Sequence, residues 1–440
     1  MKLSVLAALL AFSATTATPA AARLSPAEAR MIATVDAEQG RTLAMLETWV
    51  NVNSGSHNLA GVEAVHRLIR TELEPLGFAV RWIPMTQTGR AGHLVAHHPG
   101  RGKRLLLIGH LDTVFESDSP FQKWVRDGDK GHGPGASDDK GGDAVIVAAL
   151  RAMQAAGTLK SADITVFLTG DEEDSGNPLA IARRDLIAAG KAADVALDFE
   201  GLAQDEGPDG KLRDMGSVAR RGAASWTVTV TAKPGHSSGV FSDSSGNGAI
   251  YELARIIEAF RTKLREPSLT YNVGLIGGGQ SATLDEGRIR LAATGKTNII
   301  AATATARGDL RALTPAQYER TVAKMRAVVA TPLPGATSQI SFDEDAYPPM
   351  APTAGNRALL ARLNTVNADL GLAVMAELDP LKRGAGDISF VGADVDGLVG
   401  LGPASTGDHT PAEMVNIPSL FRQAKRAAIL MSRLTVEPLS

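Results

Sequence analysis

The chain has 440 residues, 21% of them charged, and a formal net charge of -3, so nothing in its charge argues for nucleic acid or an anionic membrane surface as a partner. A hydrophobic content of 44% suits a globular protein of two or three domains, and 45 glycines with only 4% aromatics suit a fold with many strand-to-helix turns. There is no cysteine, which excludes disulfides and a cysteine-linked lipid anchor.

The first residues read as a signal peptide over 1–22. Lys2 gives a positive start, Leu3 to Phe12 a short apolar segment, and Ala20-Ala21-Ala22 a small-residue cleavage site. The expected mature chain begins near Arg23 and is periplasmic or secreted, and no segment approaches the ~20 apolar residues of a membrane span. From Ala27 to Val52 the spacing predicts one helix, with Met31, Ile32, Val35, Leu43, Leu46 and Val50 inward. Asn53-Ser54-Gly55-Ser56 breaks it, and Leu59 to Leu76 reads as a second helix. Strands are expected at Phe78–Ile83 and His93–Ala96, with His97, His98 and Pro99 in an exposed turn.

Leu105-Leu106-Leu107-Ile108 is an unbroken apolar run, the pattern of a strand buried on both faces of a parallel sheet. It ends in Gly109-His110-Leu111-Asp112, and residues two apart on a strand share a side, so His110 and Asp112 leave together. A carboxylate beside a histidine fixes its tautomer, as around metal-binding imidazoles. A polar loop from Glu116 to Ala136 follows, then Ser137-Asp138-Asp139-Lys140-Gly141-Gly142 and a helix from Asp143 to Ala156. One aspartate there is explained as an N-cap; two framed by glycines are less well explained that way. Ile164 to Thr169 is a buried strand running into Asp171-Glu172-Glu173-Asp174, and Asp194 to Phe199 another, ending at Asp198-Phe199-Glu200. Adjacent acids repel unless solvated or met by a cation, and ligands in open α/β sheets bind beyond the carboxyl ends of the strands.

Around Gly201 to Gly216 the composition turns polar and glycine-rich, which marks a boundary. The alternation of Ser225 to Thr231 then reads as a half-exposed strand. Helices are expected at Gly248–Leu264 and Pro315–Val329, and strands near Thr270–Ile276, Ala302–Leu310 and Gln339–Phe342. This is an α+β sandwich over 216–346, inserted into an α/β domain made of 23–215 and 347–440. After a helix from Ala354, strands near Ala373–Glu377 and Asp396–Leu401 and a helix over Pro418–Leu434 close the chain, with Gly407-Asp408-His409 before the last helix.

His110, Asp138, Glu173, Glu200 and His409 form a nitrogen and oxygen donor set without thiolate, which fits zinc, with manganese or cobalt as competitors. Two histidines and three carboxylates suffice for two ions sharing a bridging carboxylate, and Glu172 is placed to move a proton. The stretches Gly109–Val114, Gly133–Gly142, Thr169–Glu173, Phe199-Glu200 and Gly407–His409 together resemble the M20 family of metallopeptidases, close to its glutamate carboxypeptidase branch. The resemblance implies a di-zinc catalytic domain with an inserted lid or dimerisation domain. In it Asp138 bridges two Zn2+ ions, His110 binds one and His409 the other, Glu173 and Glu200 complete the coordination, and the Asp138–Asp139 peptide is cis. Asp112 would orient His110, Glu172 would be general base and then acid, and His236 would stabilise the oxyanion, often across a dimer. Asn298 and Arg311 resemble substrate-carboxylate binders, and Gly384 lies in a loop that lines the family's substrate pocket. That loop departs from the family's Gly-Gly-Thr-Asp, reading Arg383-Gly384-Ala385-Gly386-Asp387, and Glu200 is followed by glycine rather than proline, which leaves Asp198 in competition as ligand. His57, His66, His93 and His132 match no ligand position. The expected reaction is hydrolysis of an amide next to a free carboxylate, releasing a C-terminal amino acid from a peptide or N-acyl amino acid. Aminoacylase or dipeptidase specificity, and a non-catalytic periplasmic metal or peptide binder, stand as alternatives. The expected partners are this substrate and a second copy of the chain through the inserted domain.

Overall fold

A computed structural model describes residues 24–437; the expected signal peptide lies outside the described residues. A six-stranded sheet organises the α/β unit, in the order Ala79–Pro84, Gly92–His98, Asp163–Thr169, Arg104–His110, Val195–Asp198, Gly397–Val399. The last four are parallel, and the two at the other edge are antiparallel. His110 pairs with Thr169 and Ile108 with Asp198, so three strands finish level with one another. From Arg104–His110 the chain passes to the neighbour on one side, then crosses to the neighbour on the other. This puts the topological switch point, where such sheets bind ligands, at His110.

One helix dominates one face of this sheet. Lys140–Ala156 is buried from Lys140 to Met153 and packs against Pro26–Ala37 and Ile417–Thr435. It begins three residues earlier than its apolar pattern suggests, because Lys140, Gly141 and Gly142 are themselves enclosed. The expected single helix over 27–52 is two, Pro26–Ala37 and Gln39–Val50, divided at Glu38. Apolar residues keep helical spacing through the break, so the pattern alone does not reveal it. His97 and His98 belong to the strand Gly92–His98 rather than a turn: His97 is exposed against Thr165, and His98 is half-buried against Phe78. The loop after His110 contains the short strands Val125–Asp127 and Lys130–His132, which join Ser405–Thr406 and Met414–Asn416 in a small sheet and so fasten the segment carrying His409.

The segment between has its own apolar core around Trp226, Val228, Phe260 and Leu310. Its antiparallel sheet runs Thr270–Gly279, Thr303–Arg311, Ala224–Ala232, Ala336–Phe342, with Ala249–Lys263 and Pro315–Val329 packed on it. The structure adds a hairpin, Ser281–Leu284 with Leu291–Thr294, and a short pairing of Gly235–His236 with Ile299–Ile300. Trp226 is fully buried, and truncating such a side chain to alanine costs about 3–5 kcal/mol. The chain enters and leaves through two short antiparallel pairings, Arg220 with Met350 and Ala223 with Tyr347.

Candidate active site

His110 ends its strand with an imidazole that is 1% exposed. Its Nε2 lies 3.0 Å from Asp138 Oδ1; its Nδ1 lies 3.1 Å from the Asp112 carbonyl and 3.4 Å from Asp112 Oδ1. Asp138 Oδ2 faces the second histidine, 3.1 Å from His409 Nε2, and Glu173 Oε2 is 3.2 Å from that same nitrogen. One carboxylate thus turns one oxygen to each histidine. Ligand atoms about 2.0–2.2 Å from a tetrahedral ion lie about 3.3–3.6 Å apart, close to these separations. His110, Asp138 and Glu173 each offer a ligand atom within a common 4.8 Å. Glu173 Oε1 is buried with no hydrogen-bond partner among the described residues. A donor set of imidazoles and carboxylates, with one buried oxygen left over, fits divalent metal.

Charge follows the same geometry. Burial disfavours a charge on His110, but Asp112 and Asp138 outweigh it and hold its imidazole well above the usual range. Hydrogen bonds to Asp138 and then Glu173 raise His409 to about 11. Desolvation opposes it, but Asp138, half-buried, is held below the carboxylate range by both histidines. Burial pushes Glu173 up to about 7, His409 only partly opposing it. Without a cation, protons on the histidines carry the positive charge that this cluster requires, so metal binding must release them.

Asp112 has partners besides His110. Fully buried, its two oxygens accept the N–H groups of Glu172 at 3.0 Å and Glu173 at 3.1 Å and the Ser56 hydroxyl at 2.6 Å. It therefore ties the end of one strand to the turn after the next. The Glu172 carboxylate makes no hydrogen bond among the described residues, and burial, then repulsion from Glu200, lifts it well above the ordinary carboxylate value.

The four acids after Thr169 serve three purposes. Asp171 is fully buried against Arg183 at 2.6 Å, Asp174 is an exposed partner of His57 and Arg90, and only Glu172 and Glu173 face the site. The Asp138–Asp139 peptide is cis, as the resemblance implies. Asp139 precedes the helix but its side chain does not cap it, and both its oxygens, like those of Asp143, are buried and unpartnered among the described residues. Gly109 is required here, since a Cβ would come within 2.7 Å of Asp143 Oδ1 and 2.8 Å of Asp139 Oδ2.

Glu200 stands apart from the three-residue group. Its Oε1 is 2.5 Å from Arg220 Nη1, while Asp198 accepts the Glu200 N–H at 3.1 Å. Burial, then repulsion from Glu200, raises Asp198 to about 7. Asp138 and Glu200 share a cavity of about 240 Å³ whose wall includes Lys382, Arg383 and Asp408. A larger cavity, about 610 Å³, lies elsewhere, between Leu24, Ile32 and Phe421, and contains none of these donors.

The inserted domain's candidates are not gathered with the cluster. His236 is exposed and, among the described residues, its imidazole bonds only to Ser238, while Asn298 is exposed and its carbonyl accepts the Ser237 N–H. Arg311 is half-exposed and paired with Asp309 at 2.9 Å. It faces the glycine-rich loop, where a Cβ on Gly384 would lie 3.7 Å from Arg311 Nη1. The Gly384 carbonyl accepts from Arg220 Nε at 2.8 Å.

Sequence reasoning missed Arg220, which holds Glu200, and Glu413. Glu413, 1% exposed, accepts the Ser137 N–H at 3.1 Å and the Asp138 N–H at 3.4 Å. Burial pushes it up to about 8. The signals were present: an arginine pair at the composition boundary, and an acid four residues beyond His409.

Residues 106–433 match peptidase family M20/M25/M40. Carboxypeptidase G2 of Pseudomonas sp. (strain RS-16) is 30% identical over 285 residues, 62% of this chain and 60% of that relative, so the match spans less than two thirds of its length. A tripeptidase of Staphylococcus aureus superposes with a TM-score of 0.69 at 18% identity, covering 91% of this chain and 99% of the other. A dinuclear metal-binding peptidase of the M20 family from Bacillus subtilis gives 0.61 at 15% identity, covering 91% and 99%. At these identities the solved structures speak for the fold.

Proposed function

We infer the function from one premise: the chain belongs to peptidase family M20/M25/M40. It is a hydrolase of amide bonds that lie next to a free carboxylate, releasing a C-terminal amino acid from a peptide or N-acyl amino acid. The observation that carries this reading is Asp138, one oxygen toward His110 and the other toward His409, with the Glu172 carboxylate left unpaired nearby. His110, Asp138 and Glu200 would hold one zinc and Asp138, Glu173 and His409 the other; bound there, zinc polarises a carbonyl and lowers the pKa of water.

The remaining work belongs to the chain. Glu172, fixed at its N–H by Asp112 and raised by burial, takes a proton from the attacking water and delivers it to the leaving amine. Arg311, beside the Gly384 loop, offers a fork for the substrate's free carboxylate, with Asn298 as a second donor. His236 donates to the developing oxyanion, and its exposure suits a residue that meets the site when the inserted domain closes or when a second copy of the chain presents it. The apolar start of the sequence supports export to the periplasm or beyond.

Purified protein tests this with a panel of peptides and acyl amino acids varied at the C-terminal residue, with metal content measured on the same sample. Release of C-terminal residues by protein holding two zinc ions is the expected result. Cleavage confined to dipeptides or simple acyl amino acids moves the specificity to the dipeptidase or aminoacylase reading. Protein that holds metal and cleaves nothing in the panel favours the non-catalytic binder.

A further inference from the structure

Glu172 is held at both polar groups of its backbone by side chains from two different segments. Its N–H donates to Asp112 at 3.0 Å, and its carbonyl accepts the Tyr347 hydroxyl at 3.0 Å. Asp112 belongs to the α/β unit. Tyr347 belongs to the crossover into the inserted domain, where its N–H and carbonyl pair with those of Ala223 at 2.9 and 3.0 Å.

A buried guanidinium constrains that hydroxyl. Arg183, fully buried, shares the two hydrogens of Nη2 among the Asp171 carbonyl at 3.0 Å, Ser175 Oγ at 3.1 Å and the Tyr347 oxygen at 3.2 Å. A guanidinium only donates. The Tyr347 oxygen thus accepts from Arg183; when the Ser175 hydroxyl, 2.5 Å away, donates to it as well, its single proton goes to the Glu172 carbonyl. Arg183 is itself held by Asp171 at 2.6 Å and by Asp387 at 2.7 Å, and Asp387 also takes the Thr169 hydroxyl. The guanidinium lies over the Phe390 ring, against which the Tyr347 ring packs edge-on at 4.8 Å. Residues from a strand end and the glycine-rich loop thus hold Arg183, and Arg183 and Tyr347 link them to one carbonyl; the chemistry above uses none of them.

We propose that Tyr347 is a positioning residue for Glu172, passing the orientation of the inserted domain to the backbone that carries the general base, with Arg183 aiming its hydroxyl. This rests on the reading of Glu172 as proton carrier. When the paired strands at Ala223 and Tyr347 shift, the donor on the Glu172 carbonyl shifts with them, so the turn from Gly170 to Gly176 is firm in one domain orientation and loose in others.

Tyr347→Phe in the full metal-loaded chain keeps the ring on Phe390 and removes only the proton. The expected result is a kcat lower by about tenfold with KM and metal content unchanged, the effect of one buried hydrogen bond. Backbone amides over Gly170–Gly176 should exchange hydrogen about tenfold faster, with those of Asp163–Thr169 unchanged. Ser175→Ala, which leaves the bond to Glu172 in place, should quicken exchange less. Unchanged exchange in that turn overturns the proposal, as does a uniform rise across the α/β unit. A kcat within about twofold of wild type also overturns it, provided that Glu172→Gln abolishes turnover. If Glu172→Gln keeps its turnover, the proton-carrier reading has failed, and the exchange measurement, made without substrate, decides the positioning by itself.

Discussion

At the carboxyl ends of the parallel strands, burial pushes Glu173 up to about 7 and Glu413 to about 8. On the inserted domain, hydrogen bonds from Arg320 and Lys324 hold Glu266 down at about 2. The same side chain obeys opposite rules in the two regions. The inserted domain's acid is matched by cations of its own chain and supports its fold. The cleft's acids crowd together, with an unpartnered oxygen on Glu173, and cost stability until a proton or a metal ion meets them. Unbalanced buried charge of this kind marks chemistry rather than architecture.

The sharpest way to break this contrast is at the unpaired acid. Glu172→Gln should lower kcat by about 10²–10⁴ with metal content unchanged, measured on any substrate that the wild type cleaves. Retained turnover would mean that the cleft's charge imbalance serves binding alone. On the other side of the comparison, His236→Ala should lower kcat by about 10²–10³, again without loss of metal. No change there would leave His236 without a part in the chemistry. Asp112→Ala should weaken metal binding by about 10–100-fold, read by titration calorimetry, because it frees His110 as well as the Glu172–Glu173 turn.

The smallest effect is on stability against pH. The folded values of Glu173 and Glu413 lie above their ordinary 4.5, so the folded protein keeps protons that the unfolded chain has released. Their contribution is full below 4.5 and is lost as pH rises through about 7 and 8, so the Tm of chelated protein should fall across that window, and added zinc should reverse the fall. Glu266 acts the other way: its support is present above 4.5 and lost as pH falls toward 2. A chelated protein whose Tm rises from pH 5 to pH 8 would contradict the contrast.

Much of the site could be read from the chain because strand ends announce themselves. The run Leu105–Ile108 and its neighbours end in His110, Glu172-Glu173 and Glu200, and parallel pairing brings those ends level. The division of labour among adjacent acids could not be read. Nothing local distinguishes Asp171, buried on Arg183, from Glu173 beside His409. Nor does spacing reveal that Glu413 holds the backbone before Asp138, or that Arg220 pairs with Glu200, since each partner comes from another part of the fold.

By itself the sequence determined the strand ends, their acids and histidines, and the alternation that sets the inserted segment apart, because these follow from residue type and period. Which acid meets a histidine, which meets an arginine, and which, like Glu172, has an unpaired carboxylate among the described residues was set by the packing of distant segments. The reason is physical. A carboxylate's role is set by the cation or dipole within about 3–4 Å of it, and in a buried cleft those neighbours are chosen by packing between elements, not by order along the chain.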